Sequence, residues 1–225
     1  MTIYRLIDEI IFPPVDEAEE DGLLAVGGDL SPVRVLYALS LGIFPWYSNN
    51  DPVMWWSPDP RFVIFPRKIK ISKSLRNSHK KFKHKINSNF EAVIKNCAAI
   101  KRKNESGTWI TDDMIKCYTE LHKVGYGYSF ETYFNGELVG GLYGVKLGRV
   151  FIGESMFHKV TDASKSAFVV LKEFCLKNDI KIIDCQIETV LLRNFGGEYI
   201  SRKEYIEYLI KYSGFYTENY DNQNS

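Results

Sequence analysis

The sequence is poor in the residues that build metal centres and covalent cross-links. It has four cysteines and four histidines in 225 residues. Cys97, Cys117, Cys175 and Cys185 form no Cys-x-x-Cys pair, and each sits in an apolar or periodic stretch. Buried free thiols in a reducing compartment are expected, rather than disulfides or zinc ligands. His79, His84, His122 and His158 show no ligand spacing; two lie in a basic stretch, where structural or phosphate-facing roles suit them. No run approaches 18 apolar residues, which excludes a membrane-spanning helix. The first residues lack a continuous apolar core, because Arg5, Asp8 and Glu9 interrupt it, and this argues against a signal peptide. Internal repeats are absent. The expectation is a soluble cytoplasmic protein.

Charge of one sign is also lacking overall: 29 basic against 28 acidic residues leave a net charge of +1. Its distribution says more. Asp8, Glu9, Asp16, Glu17, Glu19, Glu20 and Asp21 crowd one end, whereas residues 67–85 carry Arg67, Lys68, Lys70, Lys73, Arg76, Lys80, Lys81, Lys83 and Lys85 with no acid among them. A local basic stripe is what a phosphate backbone feels. With 45% hydrophobic residues, the chain can build one large domain, or a medium one with a small companion.

Residues 1–62 read as a small, turn-rich unit. Asp29 or Ser31 can cap a helix whose first turn holds Pro32 and which Gly42 ends. Prolines and aromatics from Phe44 to Pro60 exclude regular helix and imply a rigid aromatic loop. Residues 63–225 form the larger unit. Phe62–Pro66 reads as a strand, Ser72 opens a basic helix, Phe90–Ala99 is amphipathic, and Asp112 or Asp113 starts a helix reaching about Lys123. The period then changes from 3.6 to 2. Ser129–Phe134 and Leu138–Val145 flank Asn135-Gly136 as a hairpin, and Lys146-Leu147-Gly148 turns into a strand over Val150–Glu154. A helix from Asp162 and a strand over Ile180–Ile187 follow. The order is that of an α+β protein with a mixed sheet. The polar tail from Thr217 reads as a frayed end.

The strand from Ile180 to Ile187 is the most informative segment. Strict alternation puts Asp184 and Gln186 on one face with Ile182, about 7 Å apart. Polar groups at positions patterned as buried are hydrogen-bonded or functional, unless the strand end simply emerges into solvent. Glu154, beside Val150 and Ile152, carries the same two readings.

Seven segments bear on that choice. They are Gly22-Leu23-Leu24-Ala25-Val26-Gly27-Gly28-Asp29-Leu30-Ser31-Pro32, Gly42-Ile43-Phe44-Pro45-Trp46-Tyr47, Trp55-Trp56-Ser57-Pro58-Asp59-Pro60-Arg61, Gly107-Thr108-Trp109-Ile110-Thr111, Gly140-Gly141-Leu142-Tyr143-Gly144-Val145, Gly153-Glu154-Ser155-Met156-Phe157 and Ile183-Asp184-Cys185-Gln186. In this order they resemble the leucyl/phenylalanyl-tRNA–protein transferase family, over roughly residues 12 to 210. The resemblance implies a small N-terminal domain and a larger, mixed-sheet domain related to the GCN5-type acetyltransferase fold. It implies transfer of leucine or phenylalanine from aminoacyl-tRNA to the α-amine of a protein beginning with Lys or Arg, which marks that protein for degradation. The donor is already an activated ester, and an α-amine with a pKa of about 7.7–8.0 is a usable nucleophile. The reaction so implied asks for no cofactor, metal or thiol nucleophile.

By the family pattern Gln186 orients the attacking amine through its side-chain carbonyl, and Asp184 polarises it and assists proton traffic; a tRNA ribose hydroxyl is the alternative proton shuttle. Glu154 matches the acceptor-recognition position for a cationic first residue. Leu142, Met156, Leu171 and Ile183 are the aminoacyl pocket, methionine adapting to both branched and aromatic side chains, although Leu171 and Ile183 also read as ordinary core. Trp46, Trp109 and Tyr118 match positions near the terminal adenosine, where ring stacking on a base is worth roughly 1–3 kcal/mol, and a purely structural role competes for each. Lys73, Arg76, Lys80, Lys81 and Lys83 are the tRNA backbone contacts, against the reading of a merely solvated face.

This chain departs from many relatives in having Leu191 and Tyr128 where they carry histidine, which bears on substrate placement. Two other classes compete. An acyl-coenzyme A N-acetyltransferase would want a glycine-rich pyrophosphate loop before its helix, and Phe157-His158-Lys159-Val160-Thr161 contains no glycine. A non-catalytic tRNA-binding module would leave Glu154, Asp184 and Gln186 unexplained.

Overall fold

In the computed structural model, residues 3–48, 51–100 and 110–215 are described. Trp109, the Lys101–Glu105 loop and the tail from Thr217 lie outside them. Tyr4–Leu6 (β1) runs parallel to Leu23–Gly27 (β2), which pairs antiparallel with a later strand, Met54–Trp56 (β4). Phe44–Pro45 (β3) closes a four-stranded sheet in the order β1-β2-β4-β3. The stretch expected as a rigid aromatic loop therefore contains two short strands. Trp55 is fully buried, with its Nε1 donating to Gly27 O at 2.8 Å. Burial of a large ring with its one donor satisfied outweighs the irregularity that the prolines impose.

Pro32–Ser40 (α1) starts where expected: Ser31 accepts from the Arg34 backbone N–H, and proline occupies the first turn. It ends at Ser40, and the chain turns at Gly42, whose φ of +80° favours glycine. Arg34 is buried and donates to the carbonyls of Ile7, Asp8 and Glu9, which pins the segment after β1 onto α1.

The larger sheet has seven strands. Arg61–Ile64 (β5), Lys83–Ile86 (β6), Gly127–Phe134 (β7), Glu137–Leu147 (β8), Val150–His158 (β9), Ile182–Gln186 (β10) and Glu198–Ile200 (β11) are arranged β11-β5-β10-β9-β8-β7-β6. Only β9 and β10 are parallel to each other. Asn135 and Gly136 at φ +50° and +85° make the two-residue turn that the β7–β8 hairpin needs. Alternation then sorts side chains onto two cores. Tyr143, Val145, Ile152 and Ile182 face one that is covered by Phe90–Ala99 (α3), Asp112–Lys123 (α4) and Arg202–Tyr212 (α7). Leu142, Phe151 and Ile183 face the other, covered by Lys73–His79 (α2), Ala163–Lys177 (α5) and the short Val190–Asn194 (α6).

The structure adds three details to these expectations. The division at residue 62 cuts through β5; Arg61 and Phe62 already belong to the larger sheet. The basic stretch is divided between two elements: α2, capped by Ser72 as expected, ends at His79, and Lys83 and Lys85 lie on the edge strand β6. His79 and His84 stack at 4.2 Å and meet the buried Ser166 Oγ at 2.6 and 2.7 Å, so they are structural rather than phosphate-facing. Burial, then the neighbouring His79, pushes His84 down to about 4. The four thiols are free and buried, and no helix among the described residues is long and apolar enough to cross a membrane.

Candidate active site

The parallel pairing of β9 and β10 lasts three residues, from Ile182 opposite Val150 to Asp184 opposite Ile152. Beyond it both strands are irregular. The β8–β9 register shifts between Gly153 and Ser155, which leaves Glu154 out of the ladder, and the β10–β5 register shifts between Asp184 and Gln186, which leaves out Cys185. Such bulges re-aim side chains. Glu154 and Gln186 both reach the wall of one cavity of about 770 Å³.

Leu142, Met156, Leu171 and Ile183, the four residues expected to hold the aminoacyl side chain, line this cavity together with Phe168, Leu191 and Leu192. The small sheet contributes Phe44, Pro45 and Trp46. Trp46 is 37% exposed and leans on Trp56, whose Nε1 donates to Trp46 O, so one of its faces can meet a ligand. The remaining wall comes from the start of α5, including Ser164 and Lys165.

Strict alternation misplaces one member of the polar pair. Asp184 is 0% exposed and does not line the cavity. Its Oδ1 accepts from Arg61 Nε at 2.8 Å and from the Gln186 backbone N–H at 2.9 Å; its Oδ2 accepts from Arg61 Nη2 at 2.7 Å and from the Tyr205 hydroxyl at 2.9 Å. Arg61 and Tyr205 were not anticipated. Their signal was available in Arg61, a cation beside the apolar run Phe62-Val63-Ile64, because a buried cation demands a carboxylate. Burial alone would push the Arg61 guanidinium down, yet the Asp184 charge and hydrogen bonds carry it above its ordinary value.

Gln186 turns the other way. Its φ is +58°, and Ile187 N donates across it to Cys185 O at 2.6 Å, a γ-turn of the strained kind. Its side chain lines the cavity with Nε2 buried and without a hydrogen-bond partner. Asp184 and Gln186 therefore meet through the Gln186 backbone, not side by side on one face.

Glu154 is half-buried, and its Oε1 is also shut away without a partner. Burial pushes its carboxyl up to about 8; the Tyr118 hydroxyl and Arg61 oppose this, and the Asp184 charge reinforces it. Tyr118 is 0% exposed, does not line the cavity, and packs edge-on against Tyr143 at 5.6 Å. A ring so enclosed presents no open face to a base in this structure, in contrast to Trp46. Its hydroxyl is close enough to act on Glu154 but lies outside hydrogen-bond geometry.

Lys73, Arg76, Lys80, Lys81 and Lys83 are all exposed, as a face for a polyanion requires. They lie on α2, on the turn after it and on β6, with Arg76 at the edge of a groove of about 530 Å³ that also holds Lys70 and Lys172. Among the described residues no group of three or more His, Cys, Asp or Glu could hold a metal ion.

A polar pair set into an apolar cavity, at the point where two parallel strands part, is the arrangement expected of an active site. Profiles of two family domains cover the chain: "Leucyl/phenylalanyl-tRNA protein transferase N-terminal domain" over residues 28–59, and "Leucyl/phenylalanyl-tRNA protein transferase" over residues 63–210. The chain is 50% identical over 211 residues to the leucyl/phenylalanyl-tRNA–protein transferase of Syntrophobacter fumaroxidans, spanning 93% of this chain and 90% of that one. It is 48% identical to that of Flavobacterium johnsoniae, over 92% and 99%. Among solved structures it bears a distant likeness to a GCN5-related N-acetyltransferase from Kribbella flavida, at 9% identity over 72% of this chain and 58% of that one, with a TM-score of 0.35. The chain belongs to the leucyl/phenylalanyl-tRNA–protein transferase family and is an aminoacyltransferase.

Proposed function

We propose that the enzyme moves leucine or phenylalanine from aminoacyl-tRNA to the α-amine of proteins whose first residue is Lys or Arg, and that the product is thereby marked for degradation. The observation that carries this reading is the meeting of Gln186 and Glu154 on the wall of a cavity lined by Leu142, Met156, Leu171 and Ile183. The apolar side chain of the donor sits against those four residues. Trp46 stacks on the terminal adenosine, and the tRNA backbone follows Lys73, Arg76, Lys80, Lys81 and Lys83. Phosphate contacts of this kind position the donor without reading its sequence.

The uncharged α-amine attacks the ester carbonyl carbon. A C–N bond forms, the C–O bond to the ribose breaks, and the amine proton leaves with the ribose oxygen, directly or through solvent. Gln186 is the catalytic residue, its side-chain carbonyl accepting from the amine. Glu154 faces the cationic side chain of the acceptor. A carboxyl held near 8 is largely protonated when alone at neutral pH, and an incoming ammonium or guanidinium favours its charged form.

Purified protein, Phe-tRNA carrying labelled phenylalanine and a peptide beginning with Lys or Arg test the reading. Label on the peptide, lost by roughly 10²-fold in Gln186→Ala, is the expected outcome. Binding of tRNA without transfer would leave only a binding module.

A further inference from the structure

We propose that Arg61 and Tyr205 are positioning residues for aminoacyl transfer. Together they lock Asp184 so that its Oδ1 holds the Gln186 backbone N–H, and this keeps Gln186 in the left-handed turn that aims its amide into the cavity. The inference rests on the reading of Gln186 as the catalytic residue.

A non-glycine residue at φ +58° in a γ-turn does not hold itself there; surrounding structure must over-determine it. The hydrogen bond from Gln186 N to Asp184 Oδ1 supplies that constraint. It is only as firm as the carboxylate behind it. The Asp184 carboxylate is fixed by a two-pronged guanidinium and by a tyrosine hydroxyl, and both partners are buried. The Arg61 guanidinium is itself held at 4.7 Å from the Phe44 ring and 4.8 Å from the Tyr205 ring, and its Nη1 donates to Gly42 O at 3.2 Å. Gly42 lies two residues before Phe44, which lines the cavity together with Pro45 and Trp46. One buried arginine thus ties the wall contributed by the small sheet to the turn that carries Gln186. Tyr205 arrives from α7, so the last described helix has a part in the chemistry although it does not line the cavity.

The test is single-turnover transfer from Phe-tRNA to a peptide beginning with Lys. Tyr205→Phe keeps the ring and removes one of the four donors to Asp184. The expected result is about a tenfold slower transfer step, with KM for Phe-tRNA unchanged and no further loss when the substitution is placed in Gln186→Ala. Arg61→Lys keeps the charge and loses the two-pronged geometry; its larger loss should likewise vanish in the Gln186→Ala background. Equal losses in both backgrounds, a loss confined to KM, or a wild-type rate in Tyr205→Phe would each overturn the positioning role while leaving Gln186 in place. A wild-type rate in Gln186→Ala would instead remove the reading of Gln186, and the proposal with it.

Discussion

Two carboxylates stand on neighbouring strands at the point where β9 and β10 part, and their surroundings are opposite. Asp184 receives four hydrogen bonds, two from Arg61, one from Tyr205 and one from the Gln186 backbone. Glu154 has an oxygen buried with no partner, and it is held near 8 instead of in the ordinary carboxylate range. A saturated carboxylate has no capacity left for a substrate and serves to hold its neighbours still. A starved one binds whatever cation completes it. On the proposed reading, the two groups named by the family resemblance separate into a support and a receptor.

Breaking the support should give the largest effect. Asp184→Ala leaves a buried guanidinium without its counter-charge, which costs about 3–5 kcal/mol of folding stability when one partner of a buried pair is removed. Denaturant midpoints measured beside Glu154→Gln check this. Glu154→Gln should cost little below about pH 4.5, where the carboxyl is protonated in both folded and unfolded states, and should stabilise the protein relative to the parent increasingly from there to about pH 8. The sign follows from the raised pKa: between about 4.5 and 8 the folded state holds a proton that the unfolded chain releases, so stability falls as pH rises. Similar losses in the two variants would erase the distinction between support and receptor.

The receptor is probed by binding. In wild-type protein, affinity for a peptide beginning with Lys or Arg should tighten between pH 6 and 8, by up to about tenfold per unit, because the cation must displace a proton from Glu154. The α-amine titrates in the same window, so the comparison is with Glu154→Gln, in which that part of the pH dependence disappears and discrimination against neutral first residues falls about tenfold. Calorimetry in two buffers reads the released proton directly. Identical pH profiles in both proteins would take acceptor recognition away from Glu154.

What could be read beforehand follows from which interactions are local. The β7–β8 hairpin was legible because Asn135-Gly136 carries its own backbone preference, and α1 and α2 because Ser31 and Ser72 cap them within one turn; α4 begins at Asp112 as expected, with Thr111 as its cap. The four apolar residues of the cavity were legible as types, although alternation alone could not separate them from core. Bulges were not legible. They arise from mismatched register between distant strands, and they are why Asp184 and Gln186 do not share a face. Tyr205 was equally hidden, since its meaning depends on a residue 21 positions earlier. The burial of Tyr118 was not legible either, because it depends on packing against Tyr143 on a distant strand.

The smallest effect is the most discriminating. Tyr118 lies beneath Glu154 and is the strongest influence holding its carboxyl down against burial. Tyr118→Phe removes one hydroxyl and leaves the ring packed on Tyr143, so folding should be barely disturbed. The pH midpoint for acceptor binding should then move upward by less than about one unit, a change on the order of 1 kcal/mol, because the neutral carboxyl loses a competitor. If Tyr118 served the adenosine instead, the substitution would weaken Phe-tRNA binding and leave the acceptor midpoint in place. An upward midpoint with unaltered donor affinity assigns the tyrosine to the carboxylate, and the reverse pattern returns it to the tRNA.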